Sequence, residues 1–219
     1  MDFDRLINCI PHIKEILGVV EKAFENYDDP AHDISHVLRV TESASEIAIR
    51  EGANLEIAVI AALLHDIKRP EEDFTGIDHA ESGAKYAFQL LNEMGFESQF
   101  TFEVSEAIKV HRYSSGLNPS SMSARILQDA DRLDAIGAIA VARVFSFSGK
   151  TGTPLHSPKL KPGDSYKGYS STAINHFFEK ILKITPESFW TKTAKEIAEN
   201  RYRFVVQFVK QFLSEWGGI

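Results

Sequence analysis

The stretch Ala61-Ala62-Leu63-Leu64-His65-Asp66-Ile67-Lys68 constrains this chain more than any other: an apolar helical run ends in an imidazole beside a carboxylate, with an ammonium two residues on. Small and apolar residues before His65 imply close packing against neighbours, so the polar pair sits where water is scarce. A buried charge needs a partner. A salt bridge, a proton relay, or a divalent cation that takes both side chains as ligands would each satisfy the pair.

Helical spacing recurs along the rest of the chain. Leu6, Ile7, Ile10, Ile13, Ile16, Leu17, Val20 and Phe24 mark a first segment over about residues 4–25, interrupted at Pro11. Asp33 is a plausible N-cap for the next, which Gly52 ends and which carries His36 one turn inside its start. The His-Asp helix runs from about Leu55 to Ile67; Pro70 and an acidic loop, Glu71-Glu72-Asp73, are expected to stop it. A helix from Asp78 to Met94 carries His79 near its start. Another, from about 100 to 110, delivers His111-Arg112-Tyr113 to a polar loop.

The longest periodic segment is read as one helix from Ser123 to Phe147. It holds Asp129, Asp131, Arg132 and Asp134 ahead of a nearly pure apolar run, where acidic side chains are expensive without a function or a cation. Residues 148–170 break the pattern with Gly149, Gly152, Gly163, Gly168, Pro154, Pro158 and Pro162; a loop that long is often a lid or disordered. Two helices, about 171–183 and 187–213, follow. No segment alternates with a period of two, no repeat has a fixed period, and no polar linker separates two cores. The expected fold class is all-α: one domain over residues 1–219, with seven to nine helices.

Charge and composition exclude several classes. The 219 residues carry 24 basic and 31 acidic side chains, a net charge of −7, which gives no global attraction for nucleic acid or an anionic membrane. No basic stripe with interleaved aromatics appears, which disfavours nucleic acid further. Phe145, Phe147, Phe177, Phe178, Phe204, Phe208 and Phe212 recur at helical spacing and read as core. Cys9 is alone, so no intramolecular disulfide forms and a reducing cytoplasm is the simpler expectation. Acidic residues at the N-terminus do not suit a secretory signal, and no window is apolar enough for a membrane span.

His36, His65, Asp66 and Asp131 lie on three helices that can converge on one point. Imidazole nitrogen with carboxylate oxygen suits a borderline or hard divalent ion, such as manganese, iron, zinc or magnesium. Four protein ligands leave positions open for water and substrate on a six-coordinate ion. Spacing alone does not select Asp131 over Asp129 or Asp134.

The contexts His32-Asp33-Ile34-Ser35-His36, Leu63-Leu64-His65-Asp66-Ile67 and Asp129-Ala130-Asp131-Arg132-Leu133-Asp134, in that order over about residues 20–150, resemble the HD-domain phosphohydrolase superfamily. The resemblance is strongest to its small stand-alone branch related to nucleotide pyrophosphohydrolases. It implies a helical HD-domain fold, a divalent metal on His36, His65, Asp66 and Asp131, and hydrolysis of a phosphate ester or anhydride. Manganese is the favoured ion, with magnesium, cobalt, iron, nickel and zinc as alternatives. Some branches hold two ions with two further histidines; His79 and His111 lie in the corresponding intervals here.

Catalytic roles are expected for Asp66, for Lys68 as a charge facing a phosphoryl oxygen, and for His111 as general acid or base. His79, His111, His32 and Arg112 are candidates for substrate or second-metal contacts. Lys150, Lys159, Lys161 and Lys167 on the 148–170 loop read as solvated. The leading expectation is a cytoplasmic phosphohydrolase of a small nucleotide, converting a triphosphate to monophosphate and pyrophosphate; a homo-oligomer is compatible with it. The rivals are a phosphomonoesterase on nucleoside monophosphates and a helical domain that senses a metal or ligand without turnover.

Overall fold

All regular structure among the described residues is helical. The computed structural model describes Leu6 and residues 9–29 and 33–217. The α-helices are α1 (Ile13–Phe24), α2 (Ile34–Glu51), α3 (Leu55–Leu64), α4 (Arg69–Thr75), α5 (His79–Glu93), α6 (Ser98–Lys109), α7 (Met122–Asp134), α8 (Ala138–Thr151), α9 (Ala173–Glu179) and α10 (Lys192–Trp216). Eight of these have ten residues or more, which agrees with the expected all-α class. None of the described helices is long and apolar enough to cross a membrane. The chain forms two compact units, Met1–Asp28 with His32–Asp131, and Asp29–Ala31 with Arg132–Ile219.

In the first unit α3 is the central element. Every residue from Ile57 to Leu64 is buried, because α1, α2 and α6 all pack against it. A helix apolar on every face is stable only under such cover. Asn54 caps its start, accepting from the Ile57 N–H at 3.1 Å. Its end comes earlier than the sequence suggests: α3 stops at Leu64, and His65-Asp66-Ile67-Lys68 form a turn. Pro70 then lies in the first turn of α4 rather than ending a helix. Proline is well suited there, since its missing N–H would have had no intrahelical partner. The expected acidic loop is therefore helical, and Glu72 acquires a defined direction.

In the second unit, the single helix expected over 123–147 is broken at Ala135-Ile136-Gly137, between α7 and α8. Gly137 has φ +92°, and a Cβ there would meet Cβ and Cγ of Arg201 at 3.1 Å. Glycine thus permits both the left-handed turn and the close approach of Arg201, whose guanidinium donates to the Leu133 carbonyl at 2.7 Å. Asp134 holds Arg143 at 2.5 Å.

Phe145, Phe177, Phe208 and Phe212 cluster with ring centroids 5.7–6.1 Å apart. Phe147, Phe178 and Phe204, also expected in the core, are exposed: helical spacing places them on the outer side of their turns.

The long loop is pinned to α9. Glu179 accepts from the Gly163 N–H at 2.8 Å and from the Ser170 hydroxyl at 2.5 Å. Asn175 donates to the Leu160 carbonyl at 3.0 Å. The Ala173 N–H reaches the Pro154 carbonyl at 2.9 Å.

Candidate metal centre

Helix ends of the first unit deliver the functional side chains. Asp33 caps α2 by accepting from the backbone N–H of His36 at 3.0 Å, which fixes His36 in the first turn. His65 and Asp66 follow the last turn of α3. Asp78 caps α5 through the N–H groups of Ala80 and Glu81, at 2.8 and 3.2 Å, so His79 is its first residue. His111 lies just past the end of α6, and Asp131 is on α7.

Asp66 is the hub. Its Oδ2 lies 3.6 Å from Nε2 of His65 and 3.8 Å from Nε2 of His36. The other oxygen, Oδ1, lies 3.1 Å from Nε2 of His79 and 3.5 Å from Nε2 of His111. Asp131 Oδ1 closes the first group, 3.4 Å from Nε2 of His36. The four rings form a continuous file, His36 to His65 to His111 to His79, with centroids 5.1–5.4 Å apart. All four imidazoles and Asp66 are buried, whereas the Asp131 side chain is 28% exposed and marks the open edge.

Hydrogen bonds fix the ring orientations. Nδ1 of His65 donates to the Ala62 carbonyl and Nδ1 of His111 to the Ile108 carbonyl, each at 2.7 Å. In both rings Nε2 is thereby turned toward Asp66. Nδ1 of His79 instead meets Oε2 of Glu72 at 2.6 Å.

The electrostatics follow from burial and mutual contact. Burial lowers the His65 pKa from 6.5 to about 4, against the opposing pull of Asp66, so the ring is neutral at pH 7. Burial would raise the Asp66 carboxyl, but His65 and the hydrogen bonds from His111 and His79 outweigh it and hold the group well below its usual range. Asp131 is likewise held low: burial opposes, and the hydrogen bond and charge of His36 prevail. For His79 burial is outweighed by Asp66 and Glu72, and its pKa rises.

The donor set fits a divalent cation. His65 Nε2 is buried without a hydrogen-bond partner, which is costly for a polar atom in the interior. His36, His65 and Asp131 each offer a ligand atom within 4.8 Å of the others, and so do His65, Asp66 and His111. Neighbouring donors at about 2.1 Å from one ion lie about 3.0–3.4 Å apart, close to the observed separations.

The remaining candidates fall elsewhere. Lys68 is paired with Glu71 and lies over the Tyr86 ring, 4.6 Å from its centroid. Arg112 bonds Glu72 at 3.2 Å and Asp78 at 2.5 Å, one step out from His79. His32 lies outside the described residues. Glu72 was not singled out from the sequence; Pro70 followed by Glu71 and Glu72, read as the first turn of a helix, was the available signal.

Comparison with known proteins agrees with this geometry. Residues 33–136 match the HD domain family, a span that holds His36, His65, Asp66, His79, His111 and Asp131. A predicted HD superfamily hydrolase from an uncultured Thermotogales bacterium is 51% identical over 99% of each chain, with a TM-score of 0.75. An HD-superfamily hydrolase from Bacillus thuringiensis is 32% identical over 94% of this chain and 97% of its own, with a TM-score of 0.75. YpgQ of Bacillus subtilis, whose structure was solved in complex with ADP, is 30% identical over 92% of this chain and 96% of its own, with a TM-score of 0.69. With its histidines and aspartates gathered at one point and relatives this similar along nearly the whole length, the chain belongs to the HD-domain superfamily.

Proposed function

We propose that this chain hydrolyses the phosphate chain of a nucleotide, releasing pyrophosphate from a nucleoside triphosphate, with a divalent ion held by His36, His65, Asp66 and Asp131. The observation that carries the reading is Nε2 of His65, a buried lone pair without a partner beside two carboxylates held ionised. A cation satisfies that nitrogen and both carboxylates at once. Manganese is favoured, and the mixed nitrogen and oxygen set also suits magnesium, cobalt, iron, nickel or zinc. When bound, such an ion supplies Lewis acidity, polarising a phosphoryl oxygen and lowering the pKa of water.

The chain's own residues orient and neutralise. The Ala62 carbonyl keeps His65 in the tautomer whose Nε2 faces inward. Asp131, at the open edge, lies where a phosphate chain enters. Lys68 is held outward by an exposed carboxylate, and a pair of that kind is worth at most about 1 kcal/mol. Its ammonium can therefore exchange Glu71 for a phosphate oxygen. The 3.5 Å separation of His111 Nε2 from Asp66 supports a role for His111 as general acid or base. His79 has carboxylates at both ring nitrogens, which favours one ion, with His79 as a hydrogen-bonding neighbour, over a second ion.

The ADP on YpgQ supports a nucleotide as the substrate class. The acidic net charge favours a small nucleotide over nucleic acid. Incubating the protein with nucleoside tri-, di- and monophosphates and manganese, magnesium or cobalt, with pyrophosphate and orthophosphate assayed separately, tests the proposal. Pyrophosphate is the expected product. Orthophosphate released from monophosphates alone would make the protein a phosphomonoesterase, and no product with any ion would leave a metal- or ligand-sensing role.

A further inference from the structure

Glu72 stands at the centre of a polar network that the metal-binding motifs do not include. Oε2 lies 2.6 Å from Nδ1 of His79 and accepts from Arg69 at 3.0 Å; Oε1 accepts from Arg112 at 3.2 Å. Arg112 also reaches Asp78 at 2.5 Å, the residue that caps α5 and so sets the backbone at His79. Three chain segments are thus tied together: the start of α4, the start of α5, and the turn after α6 that carries His111. The two histidines in the latter segments are those that face Oδ1 of Asp66.

This carboxylate is mostly enclosed, with 21% of its side chain exposed. Its three partners are all donors. A carboxylate so placed loses hydration and two guanidinium groups lose rotameric freedom, a cost that the helix could avoid with any apolar residue. What the network adds is direction. An imidazole with one nitrogen anchored presents the other along a fixed line, and here that line ends on Asp66.

We propose that Glu72 is a positioning residue of the reaction centre: it anchors the His79 ring so that Nε2 bears on Asp66, and through Arg112 it holds the His111 turn in register with the same oxygen. The proposal rests on the hydrolase reading for its kinetic consequence, but its structural consequence exists in the metal-free protein.

Three variants test it. Glu72→Met keeps the length and removes the acceptor; Glu72→Gln keeps an acceptor oxygen; Glu72→Ala removes both. In the metal-free wild type, NMR of 15N-histidine-labelled protein gives a downfield ring N–H resonance assigned to Nδ1 of His79. That resonance is lost in the Met and Ala variants and kept in the Gln variant. With manganese and substrate, Glu72→Met lowers kcat by about 10–100-fold with KM changed less than about threefold, and Glu72→Gln falls between it and wild type. A wild-type resonance in Glu72→Met, or equal loss of kcat in the Gln and Met variants, overturns the assignment. If the wild type turns over no nucleotide, the function proposed above fails while the role of Glu72 is still decided, by the resonance and by manganese affinity from titration calorimetry. About tenfold weaker binding in the Met variant but not in the Gln variant supports it, and equal affinities with an unchanged resonance overturn it.

Discussion

Acidifying the metal-free protein destabilises it through His65. The ring is fully buried, and burial, with His111 and His36 alongside, brings its pKa from 6.5 to about 4 despite Asp66. The unfolded chain therefore takes up this proton at a higher pH than the native one, so stability is full above about pH 6.5 and falls as pH drops toward 4. At pH 5 the unfolded ring is nearly all protonated and the native ring nearly all neutral, which costs about 2 kcal/mol relative to pH 8. For a chain of this length that is about 4–8 °C in Tm. Asp66 and Asp131 act in the same direction, but their unfolded pKa is near 3.8, so their share is lost only at lower pH. His79, whose pKa is raised, acts oppositely: its contribution is full below about pH 6.5 and is lost at higher pH. It is common to any His65 variant. Thermal melts of wild type and His65→Gln in EDTA at pH 8 and pH 5 isolate the imidazole. The wild type loses about 4–8 °C more than the variant over that interval; parallel losses would refute the assignment of a buried, neutral His65.

Asp66→Ala removes the carboxylate that all four imidazoles face, and is expected to abolish bound manganese, measured by atomic emission, and turnover while the helical circular dichroism is kept. Lys68→Ala, by contrast, leaves the metal in place and lowers kcat, because its side chain contacts Glu71 and Tyr86 and none of the proposed ligands. Gly137→Ala forces a left-handed backbone on alanine and drives a Cβ to 3.1 Å from Arg201; a loss of about 1–3 kcal/mol is expected in urea denaturation, with metal content unchanged.

The His-Asp cluster was legible in the sequence because its members follow local rules. An aspartate cap places His36, a helix apolar and buried from Ile57 to Leu64 places His65 and Asp66, and a second aspartate cap places His79. What was not legible depends on contacts between distant segments. Gly137 breaks the helix expected over 123–147 for the sake of Arg201, and nothing in the local periodicity announces an arginine that arrives from α10. The 148–170 loop has the composition of a free lid, yet Glu179 and Asn175 of α9 hold it. Lys68 stands near Asp66 in sequence, yet its ammonium pairs with Glu71 and lies over the Tyr86 ring, because the turn at 65–68 leads directly into α4. Glu72 escaped notice for the same local reason, since Pro70 signals a helix start as readily as a stop.

His65 and His111 show how one local device can serve two ends. Each follows the last turn of its helix, where backbone carbonyls lack intrahelical partners, and each donates Nδ1–H to the carbonyl three residues back, at 2.7 Å. The helix terminus thus fixes the ring and leaves Nε2 to define the function. For His65 that nitrogen has no hydrogen-bond partner and the ring is neutral, so it is a lone pair available to a cation. For His111 the same nitrogen lies 3.5 Å from Oδ1 of Asp66. Identical anchoring thus turns both rings on one carboxylate, His65 toward Oδ2 at 3.6 Å and His111 toward Oδ1 at 3.5 Å.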